Sequence, residues 1–267
     1  MPLAKNRIAP LFSEPETAEF QDLGFIAVPG LISGSALDAL IGWIDELEKL
    51  PEEPGKTMLY YEDSVAEPSR RVLSRIEYFI GFHAGLGQFV EGPDMLGRAT
   101  NLFGEPAVLF KEKVNFKVPG GRGFEAHQDA QAGRQDYGAL QLTALVAIDA
   151  ANESNGCLEI AGGHHRRGLI GELWTPLTEA QLSGVHFEKV PTAPGDAIFF
   201  DSFTPHKSEE NLSDAGRHLL YITYGRASDG DHREQYYADK RKSFPPDIER
   251  DPIRLQGLIT NCYEEDT

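Results

Sequence analysis

Apolar positions in the first hundred residues recur mostly at helical spacing. Leu37, Leu40, Ile41, Ile44 and Leu47 fall three or four residues apart, with Asp38, Asp45, Glu46 and Glu48 mostly on the other side. The pattern predicts an amphipathic helix with its N-cap at Ser33, running to about Lys49 and stopped by Pro51 and Pro54. An apolar run at 25–28 predicts a strand before it, and two further helices are expected over 72–81 and 92–103. From residue 107 the texture changes. Runs rich in Val, Ile, Phe, Tyr and Leu occupy 108–118, 139–148, 157–160, 197–200 and 218–224, separated by Gly-, Pro- and Asn-rich turns. This is the strand–turn rhythm of an antiparallel barrel or jelly roll. Helices first and strands afterwards predict an α+β, mainly β architecture with the N-terminal helices packed on one face. No internal repeat or low-complexity linker divides the chain. It reads as one domain over 1–267: a helical first third (about 1–105), a jelly-roll core (about 106–226) and a charged, aromatic tail (227–267). Pro245 and Pro246 break that tail, which reads as loop and short helix lying over the barrel.

Composition narrows the function. A formal net charge of −17 opposes nucleic acid and anionic membrane surfaces, whose phosphates it would repel. A small anionic ligand stays admissible, because a local basic pocket can sit inside an acidic shell. Cys157 and Cys262 are too few for a disulfide framework or a thiolate zinc site, and two lone thiols suit a reducing compartment. The first ten residues lack an apolar signal core, and no stretch reaches the roughly 18 apolar residues of a membrane helix. The expectation is a cytoplasmic protein acting on a small molecule, with its oligomeric state left open.

Candidate chemistry gathers in three places. The segment Gly123-Phe-Glu-Ala-His127-Gln-Asp129 sets an imidazole and a carboxylate two residues apart. On an extended strand both point to one face and can converge on one ion. Pro194-Gly-Asp196 opens a turn into an apolar strand that is followed by Thr204-Pro-His206, where a third ligand would arrive from across a barrel. Two His and one carboxylate leave open positions on an octahedral metal, which suits non-haem Fe(II) and oxygen chemistry. Eleven residues beyond His206 stands Arg217, a side chain able to grip a dicarboxylate at the end remote from the metal.

With these motifs the sequence resembles the phytanoyl-CoA dioxygenase family of 2-oxoglutarate oxygenases. The resemblance runs through Phe20-x-x-x-Gly24-Phe-Ile, His127-Gln-Asp129, Asn155-Gly-Cys-Leu158 leading to Gly162-Gly-His164, and Pro194-Gly-Asp196 through His206 to Arg217. It implies a double-stranded β-helix, Fe(II), and 2-oxoglutarate and O2 as cosubstrates. It also implies His127, Asp129 and His206 as iron ligands and Arg217 on the 2-oxoglutarate C5 carboxylate. The family's Pro and Ser in the Gly-x-His turn are Ala161 and Gly163 here, which bears on loop shape alone. By resemblance to the ectoine hydroxylase branch, Lys111, Asn115 and Thr143 are candidates for 2-oxoglutarate, and Lys113 for either ligand. Alternate lysines on a strand also fit a solvated face, and Lys117 is expected at the solvated barrel mouth. His164 and His165 read as structural, and Asp196 as a turn cap.

The implied reaction hydroxylates an aliphatic C–H and converts 2-oxoglutarate to succinate and CO2. Asp129 favours hydroxylation over halogenation, for which the resemblance implies a small residue at that position. For the pocket, Tyr60, Tyr61, Arg75, Tyr78, Tyr137 and the run Tyr236-Tyr-Ala-Asp-Lys240-Arg offer polar and aromatic material. They suit a small polar metabolite better than an acyl chain, with Lys113 and Tyr137 as candidate substrate contacts. The strand Phe110-Lys-Glu-Lys-Val-Asn-Phe and the tail look like those of bacterial members acting on small metabolites, among them aminoethylphosphonate. Two alternatives stand beside this: a silent member that binds metal and 2-oxoglutarate as sensor or scaffold, and a cupin-like hydrolase or isomerase using another metal.

Overall fold

A computed structural model of the chain describes residues 11–250; residues 1–10, Cys262 and the end of the tail lie outside the described residues. The strands are β1 (Phe25–Val28), β2 (Met58–Asp63), β3 (Arg71–Glu77), β4 (Ala107–Lys117), β5 (Phe124–His127), β6 (Gln141–Ala147), β7 (Leu158–Ile160), β8 (Glu188–Val190), β9 (Ala197–Asp201), β10 (His206–Ser208) and β11 (Arg217–Arg226). They build a large antiparallel sheet in the order β1-β9-β6-β11-β4-β3-β2 and a small one in the order β5-β10-β7-β8. This is a double-stranded β-helix, as expected. Four helices, α1 (Glu14–Leu23), α2 (Ser35–Glu48), α3 (Ala84–Val90) and α4 (Pro93–Phe103), come before the β4–β11 core, and α5 (Arg233–Ser243) follows it.

Period-two alternation sorts the large sheet's side chains into two layers. One layer, with Val114, Phe116, Ala144, Val146, Phe199, Leu220 and Ile222, packs with helix residues such as Leu40, Ile44, Val90 and Met95. At about 1.5–3 kcal/mol for each large apolar side chain buried, this layer is the main adhesive of the fold. The other layer, with Leu145, Ile198, Phe200 and Leu219, meets Leu158 and Ile160 of the small sheet. Functional side chains share that second, inward face.

Local signals explain the entry into the sheet. Ser13 caps α1 in a reciprocal box with Glu16, and Gly24 ends it at φ +78°. A Cβ at Gly24 would collide with His165 and Thr204, so the turn into β1 admits only glycine. Asp196 caps its turn, accepting from Gly30 N and Ala193 N at 2.7 Å each. The N-cap of α2 is Gly34 rather than Ser33.

The first third corrects the sequence reading. Residues 72–81 are not a helix: Arg71–Glu77 forms β3, paired with both β2 and β4. Val72, Ile76, Phe79 and Ile80 satisfy helical spacing, but the free edge of β4 supplies a ladder, and the strand ends where Tyr78 turns at φ 58°. Among the described residues no helix is long and apolar enough to cross a membrane.

Glu112 interrupts the apolar face of β4 for a reason that only tertiary structure reveals. Fully buried, it accepts from Phe79 N at 2.9 Å and Ile80 N at 3.3 Å, and pairs with Arg233 Nη2 at 2.6 Å. It therefore clamps the turn after β3 and the start of α5 to one strand. Removing one partner of a buried pair strands the other. Glu112→Ala is expected to cost about 3–5 kcal/mol in chemical denaturation, with Glu112→Gln intermediate.

Candidate active site

The small sheet brings the two histidines together. His127 ends β5, His206 begins β10, and the antiparallel register sets them opposite each other with ring centroids 4.3 Å apart. In each ring Nδ1 lies against the carbonyl two residues earlier, Glu125 O at 2.7 Å and Thr204 O at 2.9 Å. Those bonds set the tautomer with Nδ1 as donor and leave both Nε2 atoms as acceptors. Asp129 does not continue the strand. It opens a 3-10 turn (Asp129–Ala132) that swings the carboxylate toward the rings. Donor atoms of His127, Asp129 and His206 all lie within 4.8 Å of one another, the one such cluster found among the described residues.

Electrostatics prepare the three groups for a cation. Burial, reinforced by His127, pushes the His206 imidazole down to about 3, so it is neutral and free to ligate. Burial also lowers His127. For Asp129 burial acts the other way, but Arg134 and the neighbouring His206, Lys113 and His127 hold the carboxyl well below its usual range. Arg134 Nη2 donates to Asp129 Oδ1 at 2.9 Å, and Thr143 Oγ1 to Oδ2 at 2.9 Å, with Thr223 Oγ1 3.1 Å behind it. Two neutral imidazoles and an oriented carboxylate are the donor set of non-haem Fe(II) sites.

Two spaces adjoin the cluster. The outer one is a cavity of about 610 Å³, within the range of small-ligand sites. Its walls come from β3 and β4, the turns after Asp129, the 174–176 loop and α5. Gln128 and Gln131, flanking Asp129, hold the loop side: Gln128 Nε2 donates to Gly168 O at 2.8 Å, and Gln131 Nε2 to Glu172 O at 2.8 Å and Thr175 O at 2.6 Å. The inner space, about 30 Å³, lies between Asn115, Leu158, Phe200, His206 and Tyr221, with Lys113 touching both. Asn115 Oδ1 has no partner among the described residues. Arg217 stands four residues before Tyr221 on the same face of β11, 2% exposed, with its Nε likewise unpartnered.

The register of β4 on β11 places each member of the lysine row. Lys111, Lys113, Asn115 and Lys117 pair with Thr223, Tyr221, Leu219 and Arg217 on the inward face, so the row is not a solvated surface. A bulge leaves Phe110 unpaired, and its ring packs on Tyr236 of α5 at 4.7 Å. Lys117 corrects the barrel-mouth expectation. It is 4% exposed, and its Nζ donates to Ser208 Oγ at 2.9 Å and to Glu209 O. Lys111 turns to the outer cavity, 3.9 Å from Glu77 and 3.2 Å from Tyr236 Oη. Glu77 also receives Arg75 at 2.8 Å and Lys240 at 2.5 Å. Lys113 has no hydrogen-bond or ion-pair partner among the described residues. Its ammonium sits over the Tyr221 ring at 4.6 Å, and burial, with Lys111 nearby, pushes it down to about 7. Thr143 holds Asp129 rather than lining either space, and Tyr137 reaches Asp239 at 3.0 Å on the cavity wall. Arg134, Glu77, Tyr221 and the two glutamines escaped the sequence reading. Only for Gln128, Gln131 and Arg134 is there a local signal, closeness to Asp129.

Fold and site define the class first: a double-stranded β-helix carrying a two-histidine, one-carboxylate cluster at the mouth of a cavity. The family model for phytanoyl-CoA dioxygenase (PhyH) matches residues 20–219, and the chain belongs to that family of iron(II)- and 2-oxoglutarate-dependent oxygenases. It is 39% identical over 240 residues to the 2-aminoethylphosphonate dioxygenase of uncultured bacterium HF130_AEPn_1, covering 90% of this chain and 91% of the relative. To the methylphosphonate hydroxylase of Gimesia maris it is 38% identical over 233 residues, covering 87% and 88%. Among solved structures, EctD from S. alaskensis with 2-oxoglutarate and 5-hydroxyectoine superposes with a TM-score of 0.70 at 19% identity, over 85% of this chain and 80% of that one. That likeness concerns the fold.

Proposed function

We propose that this protein is an iron(II)- and 2-oxoglutarate-dependent dioxygenase that hydroxylates an aliphatic C–H of a small organophosphonate. The observation that carries the phosphonate reading is the set of cations in the outer cavity. In a chain of net charge −17, Arg75, Lys111, Lys113, Arg134 and Lys240 line one pocket beside the histidine–aspartate cluster, together with Glu77, Glu125, Asp129, Asp136 and Asp239. Glu77 takes up three of the cations, and Lys113 and the unused donors of Arg134 are left for an anion such as a phosphonate. The two relatives above 30% identity described here are both named for phosphonates.

His127, Asp129 and His206 would hold the iron, which when bound supplies the oxygen-activating chemistry. The balance is one substrate C–H, one 2-oxoglutarate and one O2, giving C–OH, succinate and CO2. Arg217 and Asn115, each with an unused buried polar atom, would orient 2-oxoglutarate in the inner space. That space is smaller than the cosubstrate, and Lys113, held by no polar partner among the described residues, is the side chain that would withdraw from it. Thr143 and Arg134 fix the Asp129 carboxylate, and Lys111 serves α5 through Tyr236 rather than 2-oxoglutarate. Tyr236, Lys240 and Phe244 of the α5 region, with the Trp174 loop, line the outer cavity in which the substrate would sit.

Anaerobic titration of the Fe(II)- and 2-oxoglutarate-loaded protein tests the substrate class through its visible absorption band. 2-Aminoethylphosphonate or methylphosphonate is expected to shift the band at micromolar to millimolar concentration, whereas ectoine and proline leave it unchanged. A shift with ectoine or proline and none with either phosphonate would overturn the phosphonate reading. A band shift without succinate on admission of O2 would instead mark a silent, ligand-binding member.

A further inference from the structure

Arg134 is placed more unusually than its bond to Asp129 requires. It begins a second 3-10 turn (Arg134–Tyr137), five residues beyond Asp129, and Gly133 at φ +66° reverses the chain between them. The side chain is 3% exposed. Nη2 donates to Asp129 Oδ1 at 2.9 Å, while Nε and Nη1 are buried and have no hydrogen-bond partner among the described residues. A guanidinium offers five donors in a planar fork, and leaving buried donors unused is costly. A neutral amide would hold Asp129 with one bond and less desolvation. The unused donors, on a residue that forms part of the cavity wall, therefore point to an acceptor that is not protein.

The other cations narrow the assignment. Arg75, Lys111 and Lys240 already converge on Glu77. Lys113 and Arg134 remain, and only Arg134 has the planar fork that matches two oxygens of one tetrahedral anion. Its present counter-charge is Asp129, a group a bound cation would share. The guanidinium charge is then available to a second anion.

We propose that Arg134 binds the anionic head of the substrate while keeping its bond to Asp129, so that one side chain selects the tetrahedral anion and sets its position relative to the metal-ligating carboxylate. This rests on the phosphonate reading above and adds to it the residue that recognises the phosphonate. Lys113, its ammonium over the Tyr221 ring, contributes charge but no fixed geometry. A carboxylate of similar size, with two oxygens in a plane, would bind less tightly because it can use the fork but leaves the lysine side unpaired.

Calorimetric titration of the protein loaded with redox-inert Mn(II) and 2-oxoglutarate tests the assignment without turnover. Arg134→Gln keeps one donor for Asp129 but loses the fork and the charge. It is expected to weaken methylphosphonate binding about 100-fold, with Kd for Mn(II) raised by only about tenfold, the low end of what disturbing a partner behind a metal ligand costs, because the amide keeps a bond to Asp129. Arg134→Lys is expected to recover part of the phosphonate affinity. Unchanged methylphosphonate affinity in Arg134→Gln would overturn the assignment while leaving the phosphonate reading in place. Equal losses for Mn(II), 2-oxoglutarate and methylphosphonate would also overturn it, reducing Arg134 to a prop for Asp129. If the wild-type protein binds neither methylphosphonate nor 2-aminoethylphosphonate, the phosphonate reading fails and takes the assignment with it.

Discussion

His206→Ala, His127→Ala and Asp129→Ala are each expected to abolish turnover while leaving the chain folded. Disturbing the partners behind a metal ligand already costs roughly 10–100-fold in affinity or activity. Loss of a ligand itself should exceed about 100-fold, because two remaining donors cannot hold the open-faced geometry. Stability should change little. The two imidazoles meet across a short ladder at the mouth of the barrel, and His206 is held neutral against its own tendency to charge. Asp129→Gly, which vacates the position completely, should be as inactive in hydroxylation as Asp129→Ala. The check is succinate formation beside thermal melting and metal content. Near-native turnover in His206→Ala with normal iron content would remove His206 from the ligand set.

Arg217→Ala is expected to raise the KM for 2-oxoglutarate far more than the KM for the proposed phosphonate substrate. Truncating one partner of a buried, charge-assisted contact costs about 2–5 kcal/mol, or tens- to thousands-fold. Arg217 is buried with its Nε unpartnered among the described residues, and it stands on the same strand, β11, as Tyr221, which lines the inner space. Asn115→Ala should act in the same direction and more weakly, since a neutral amide is lost. Lys111→Ala should spare 2-oxoglutarate, because Lys111 faces Glu77 and Tyr236. Direct binding titrations of 2-oxoglutarate to the three variants would show this order. Unchanged affinity in Arg217→Ala, with a large loss in Lys111→Ala, would move the cosubstrate anchor to the other end of β4.

His127, Asp129 and His206 are legible in the sequence because their local context is short-range: a two-residue spacing at a strand end, and a histidine just past an apolar strand. Even there the physical picture shifts, since Asp129 converges by leaving the strand rather than by continuing it. The β4 face is legible as an alternation, but the direction it points depends on its partner β11, and Lys117 shows how an apparent mouth position becomes buried under the segment carrying Ser208 and Glu209. The first third is where periodicity fails. Val72, Ile76 and Ile80 fit a helix as well as a strand, and only the open edge of β4 decides between them. Glu77 and Glu112 have no sequence signature at all, because their meaning lies mainly in partners far along the chain, as with Phe79 and Glu112, 33 residues apart. Arg134 offers only its closeness to Asp129, which does not reveal its donors left without a partner among the described residues.

Reaction under 18O2 with Fe(II), 2-oxoglutarate and a phosphonate, followed by 31P NMR and mass spectrometry, tests the central reading most directly. The expected result is one hydroxylated phosphonate per succinate, with one labelled oxygen in each product. Phosphonate left unchanged while succinate accumulates, or hydroxylation that proceeds without 2-oxoglutarate or O2, would contradict it.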